Sequence, residues 1–160
     1  MLNVRRARLL VPALGWAAVI FGLSSIPGAD IPSPPIPSAD KLVHLGVYGV
    51  LGFLWFRCAR AWPTSAVAPS PRPVRRSTWA WTIVAVLAYG ISDELHQAFV
   101  PRRSPDILDV LADLGGGALG AGLAAAIATR RRSRPSMIQV GEATRVAEAP
   151  PPTGNEPPPP

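Results

Sequence analysis

The chain has one cysteine, few charges and no compact catalytic spacing, and each shortage narrows what it can be. Cys58 has no partner for an internal disulfide, and without CxxC or CxxH spacing there is no structural zinc motif. Charged residues make up only 16% of the 160 positions, well under the roughly 25% usual in soluble domains. No HExxH is present, and no Walker lysine follows the glycines at 115–117. Gly116 and Gly120, with Gly46, Gly49 and Gly52, therefore read as close helix packing. The net charge of +6 would suit nucleic acid. The basic residues, however, sit at the ends of apolar segments, where a membrane accounts for them, so nucleic acid is set aside as a partner.

What the chain does have is apolar length. Four apolar stretches cover residues 9–26, 42–56, 78–100 and 107–129, and most of the twenty prolines lie between or beyond them, at 27–37, 63–73 and 150–160. A hydrocarbon core of about 30 Å takes roughly 20 helical residues. The spacing predicts helices over 9–26, 41–58, 78–100 and 106–129, the third and fourth reaching full length only by including carboxylates. The expected fold class is all-α, an integral membrane four-helix bundle over residues 1–134. A disordered proline-rich cytoplasmic tail is expected over 135–160. The first segment has a basic start like a secretory signal, but no A-x-A site follows and Pro27 comes close behind, so it reads as a retained helix.

Orientation follows from the arginines. Arg5, Arg6 and Arg8 precede the first helix, Arg57, Arg60, Arg72, Arg75 and Arg76 lie between the second and third, and Arg130, Arg131, Arg132 and Arg134 follow the fourth. The other two loops hold Lys41, Arg102 and Arg103. Basic loops stay inside, which predicts a multi-pass plasma-membrane protein with both termini cytoplasmic.

With that orientation the polar residues fall in one outer layer. Asp40, His44 and Tyr48 recur every four residues along one face of the second helix. Asp93, Glu94 and Gln97 lie roughly 5 to 11 Å inside the end of the third. Asp106, Asp109 and Asp113 share a face of the fourth, down to roughly 12 Å. An aspartate at a helix centre costs about 2.5 to 3.5 kcal/mol on insertion scales, so such residues must face one another, water or a ligand. Asp106, after Pro105, also reads as a helix cap. His96 falls off the Asp93–Gln97 face and is expected to point to lipid headgroups. In the loop VPRRSPD, Arg102 and Arg103 match phosphate or carboxylate groups on a headgroup, on a substrate, or on Glu94 and Asp109 nearby.

These residues form a pattern. DKLVHLGVYGVLG and DELHQAFVPRRSPDILDVLADLGGGALG together resemble the VanZ-like family of small bacterial membrane proteins, over roughly residues 40–120. By that resemblance Asp40, Lys41, His44 and Tyr48 match on the second helix, and Asp93, Glu94, Gln97, Phe99, Pro101 and Arg103 on the third and its loop. Asp109 and Gly116 or Gly117 match on the fourth, and Asp113 departs from the family, which usually has asparagine there. The resemblance implies an envelope-related membrane protein, since the name-giving member is associated with low-level resistance to the glycopeptide teicoplanin.

Two functional readings follow. In the first, an outer polar site of Asp40, Lys41, His44, Tyr48, Asp93, Glu94, Gln97, Arg103, Asp109 and Asp113 binds a lipid-linked or glycopeptide ligand without turnover. The absence of a nucleophile motif favours it. In the second, an intramembrane hydrolase or transferase acts on a lipid, either with His44, Asp93, Glu94 and Asp109 holding a divalent metal or with Glu94 and His44 as base and acid. No cofactor is expected on the first reading, and on the second only that divalent metal. Membrane lipids are the expected partners. A transport pathway would require a homo-oligomer, because four helices are too few to line one.

Overall fold

The computed structural model describes residues 4–30, 38–61 and 76–132. They form four helices, α1 Val4–Ser24, α2 Ala39–Ala61, α3 Arg76–Gln97 and α4 Ile107–Arg132, with a single 3-10 turn at Gly28–Asp30 and no strand among them. The expected disordered tail and the loop between α2 and α3 lie outside the described residues.

Local chemistry sets the helix ends. Before α1 stops, the Ser25 hydroxyl donates to the Phe21 carbonyl at 2.7 Å, and Pro27 then discourages the helical geometry of the residue before it. The sequence predicts α3 to Val100, but it ends at Gln97. Phe99 and Val100 bond instead to the carbonyls three residues back, at 3.0 Å each, a tightening common at helix ends, and Pro101 has no N–H with which to continue.

Among the described residues, α1, α2 and α4 are long and apolar enough to cross a membrane. The remaining helix, α3, has the length, roughly 33 Å at 1.5 Å per residue, but Asp93, Glu94 and its hydroxyl and indole side chains hold its hydropathy lower. Large apolar residues point outward on all four helices, among them Leu14, Leu42, Trp81, Leu111 and Leu119, each more than half exposed. A soluble monomer avoids such a surface, whereas lipid requires it.

The interior is held together differently from an aqueous core. α2 and α4 form the largest interface, and they meet backbone to backbone. A Cβ at Gly120 would overlap the Gly49 carbonyl oxygen, one at Gly116 the Leu45 carbonyl oxygen, and one at Gly52 the Gly117 carbonyl oxygen. Helices in lipid gain little from apolar burial, so this close approach and the dispersion contacts it brings are what join them. Gly46, expected to share this role, has nothing near its missing side chain, because it faces away from α4. Ile20, Tyr48, Leu51 and Val86 make one apolar cluster, and Phe56, Ala121 and Ala124 a second. α1 packs on α2 and α3 and stays clear of α4. Side-chain hydrogen bonds fasten it, from Trp16 Nε1 to the Val47 carbonyl at 2.8 Å and from the Tyr89 hydroxyl to the Ala17 carbonyl at 2.6 Å.

The chain alternates direction. The end of α1, the start of α2, the end of α3 and the start of α4 gather at one end of the bundle, here called the polar end. Arg57, Arg60, Arg76 and Arg130 belong to the helix ends at the other. Gly120→Ala is expected to destabilise the bundle by about 1 to 3 kcal/mol through overpacking, and Gly46→Ala to leave it unchanged. Unfolding of the two variants in detergent, followed by helical circular dichroism, checks both.

Candidate functional site

The polar end is built in tiers. Nearest the end, in the first turn of α2, the Lys41 ammonium lies 2.7 Å from Asp106 Oδ2, 2.8 Å from Asp109 Oδ1 and 3.1 Å from Asp40 Oδ2. Asp106 is the cap that its place after Pro105 predicts, since the Leu108 N–H donates to its Oδ1 at 2.8 Å. One carboxylate thus starts α4 and ties it to α2. The Lys41 hydrogen bond first, and the Leu108 amide second, hold the Asp106 carboxyl below the usual 3.8. Glu94 of α3 reaches the same corner, its Oε2 accepting from the Asp106 amide at 2.7 Å.

One turn deeper, His44 Nδ1 lies 2.9 Å from Asp113 Oδ1, and Asp113 is almost wholly buried. With Asp113 ionised, Nδ1 carries the hydrogen, and in the neutral imidazole Nε2 keeps its lone pair. Gly90 on α3 makes room for this pair, because a Cβ there would stand 2.9 Å from Asp113 Oδ2. Four residues on from His44, Tyr48 is fully buried with its ring nearly parallel to the imidazole, centroids 6.3 Å apart. Its hydroxyl has no hydrogen-bond partner, and neither have Asp93 Oδ1 and Asp113 Oδ2.

On α3, Asp93, Glu94 and Gln97 are all buried. Gln97 Nε2 lies 3.4 Å from Asp93 Oδ2 and 3.3 Å from Glu94 Oε1, while its Oε1 accepts from Arg103 Nη1 at 3.1 Å. Of the groups its loop could match, Arg103 pairs with neither Glu94 nor Asp109. Its other N–H groups donate to the Ile26 and Leu23 carbonyls, each at 3.3 Å, satisfying backbone oxygens at and just past the end of α1. Beside it, Arg102 is exposed with φ 59°, in the left-handed region that is uncommon for non-glycine residues. The Gly28 amide donates to the Pro101 carbonyl at 3.0 Å, and a Cβ at Gly28 would overlap the Arg102 carbonyl oxygen. His96, half-buried, packs against α1. Its ring lies 4.5 Å from that of Phe21, and its Nε2 is 3.0 Å from Ser25 Oγ, so it docks α3 on α1.

His44, Asp93 and Glu94 each offer a ligand atom, all within 4.8 Å of one another, a group able to hold a metal ion. Asp109 is not one of the three, and its Oδ1 instead accepts from Lys41. Among the described residues, the six carboxylates Asp40, Asp93, Glu94, Asp106, Asp109 and Asp113 thus gather at an end whose cations are Lys41, Arg102, Arg103 and at most its histidines. Of these, Arg103 makes no ion pair with any of the six. Such an arrangement attracts cations and repels bare anions.

A family model described as VanZ/LLP1 matches residues 5–128. The chain belongs to this family. The match runs through all four helices, further than the 40–120 stretch whose motifs carry the resemblance, and includes α1. No curated protein and no solved structure matches the chain.

Gly90 is the position at this end that sequence reasoning passes over. Its one signal is a small residue three before Asp93. Lys41→Met is expected to lower stability at neutral pH by leaving Asp106 and Asp109 without their cation. Because the folded Asp106 carboxyl is depressed, its share of that stability is complete above 3.8 and fades as pH falls through the lower folded value. Unfolding midpoints of wild type and variant should therefore converge in acid, which a pH series of melting curves reads directly.

Proposed function

We propose that this VanZ-family protein crosses the plasma membrane four times, with both termini cytoplasmic, and binds a lipid-linked or glycopeptide ligand at an outward-facing polar end. By this reading it lowers susceptibility to teicoplanin. The arginines at the opposite end of the bundle support the orientation. Membrane passage of α3 is supported by its neighbours: α2 and α4 both run from the polar end to the basic end, so the chain between them has to return.

The observation that carries binding is the set of unpartnered buried atoms, Tyr48 OH, Asp93 Oδ1 and Asp113 Oδ2. Buried polar groups that serve only structure are nearly always hydrogen-bonded. Here three atoms from three helices await a partner in one layer, and the pairs around them are fixed by packing.

One observation favours a second reading, an intramembrane hydrolase or transferase acting on a lipid. An imidazole oriented by a carboxylate, with Glu94 beside it, is the base-and-orienter arrangement of acid–base catalysis. Multiple turnovers of a lipid-linked substrate by purified protein would decide for it.

Expression of wild type at a level matched to variants is expected to raise the teicoplanin concentration needed to inhibit growth, with His44→Ala and Glu94→Gln at the level of empty vector. If wild type too equals empty vector, the ligand reading fails. In a Cys58→Ala background, Ser104→Cys should react with a membrane-impermeant maleimide in intact cells and Arg130→Cys should not; the reverse pattern overturns the orientation.

A further inference from the structure

We propose that His44, Asp93 and Glu94 hold one divalent cation, with Asp113 as a positioning residue that orients the imidazole from behind. The inference concerns the same polar end as the ligand reading and rests on it only for its place in the fold.

Charge is the first argument. Asp93, Glu94 and Asp113 are buried. Lys41 is taken up by Asp40, Asp106 and Asp109, and Arg103 by Gln97 and backbone carbonyls, so among the described residues the one cationic side chain paired with any of the three is His44, on Asp113. Three ionised carboxylates against one imidazolium leave an excess of negative charge away from water, which is expensive unless a cation or protons neutralise it. Gln97 answers part of the demand with two long contacts, but it is neutral and leaves Asp93 Oδ1 bare.

Geometry is the second. Atoms bound to one ion at about 2.0 to 2.2 Å lie roughly 3 to 4.3 Å apart. Atoms already within 4.8 Å therefore need shifts of about 1 Å or less to share it. They come from two helices, α2 and α3, and α4 supplies the support. Asp113 on Nδ1 leaves Nε2 free to coordinate, the carboxylate–histidine–metal arrangement that fixes the ring and raises its basicity. Asp113 Oδ2 and Tyr48 OH, like Asp93 Oδ1, are buried without a hydrogen-bond partner.

Ligand chemistry selects the ion. One imidazole and two carboxylates suit Zn2+ or Mn2+ better than Mg2+ or Ca2+, which take oxygen ligands almost alone. Three protein ligands leave a coordination position open, and through it the ion would accept a phosphate or carboxylate oxygen that the surrounding carboxylates alone would repel.

The test uses tag-free full-length protein in detergent, stripped with chelator and then titrated with Zn2+ or Co2+ alone. One ion per chain should survive gel filtration in wild type and be lost in His44→Ala. Asp113→Asn should bind about 10- to 100-fold more weakly, as outer-shell substitutions do, and His96→Ala should bind like wild type. Glu94→Gln, close to wild type in shape and still able to accept from the Asp106 amide, should alter the visible spectrum of bound Co2+ while keeping the wild-type elution volume and helical signal. Less than half an ion per wild-type chain, or full retention in both His44→Ala and Glu94→Gln, overturns the proposal and assigns protons to the buried carboxylates. Loss of the ion in His96→Ala overturns it also. Because neither glycopeptide nor lipid substrate is present, an ion bound by a protein without effect on teicoplanin would sink the ligand reading and leave this one standing.

Discussion

The backbone contact between α2 and α4 is the constraint on which the rest of the molecule depends. Gly49 and Gly52 on one helix and Gly116, Gly117 and Gly120 on the other remove the side chains that would hold the two apart. The helices run in the same direction, so their residues climb together. From Lys41 to His44 is about 4.5 Å and from Asp109 to Asp113 about 6 Å, and the two charged pairs meet rung by rung. A side chain at Gly116 or Gly120 would push the helices apart and with them every one of these bonds. Packing in the middle of the bundle thus sets the electrostatics at its end.

The polar tiers are graded by access to water. Asp40 is exposed, Lys41 partly so, and His44, Asp113 and Tyr48 progressively enclosed. Ion pairing is densest where water is nearest, and the unpartnered atoms lie deepest. Since exposed pairs contribute little and buried unpaired groups cost much, the energetic weight of the layer falls on the deeper tier. α3 supplies two of its carboxylates, and Arg103 links that helix through Gln97 to the end of α1. All four helices therefore have a stake in one small volume, although α1 and α4 never touch.

Much of this is legible in the sequence, because periodicity and charge bias are local signals. Helix number, the faces of Asp40, His44 and Tyr48 and of Asp106, Asp109 and Asp113, and the capping role of Asp106 follow from spacing alone. What spacing does not carry is rotation of one helix against another. It cannot pair Lys41 with Asp106 and Asp109, or His44 with Asp113, because each bond joins residues 65 to 69 apart. The arginines of VPRRSPD read as matching phosphate or carboxylate because a guanidinium fork fits either. Here Arg103 donates to Gln97 and to carbonyls at the end of α1, some eighty residues earlier. His96, off the Asp93–Gln97 face of α3, lies on another that touches α1. Gly90 and Gly28 matter through what lies against them, Asp113 in one case and the Arg102 carbonyl in the other, and a glycine announces no neighbour in advance.

The sequence distance between the partners also has a meaning in time. Chain synthesis delivers α2 with Lys41 and His44 long before α4 exists to answer them. Meanwhile α2 has only α1 beside it, and α1 offers those two residues no carboxylate. Placing them in the first turn and a half lets them wait at the water boundary, where an unanswered charge is cheap. The same residues near the middle of α2 would sit in hydrocarbon, unanswered until α4 arrived. A polar layer at an end of the bundle suits the order in which a chain is made.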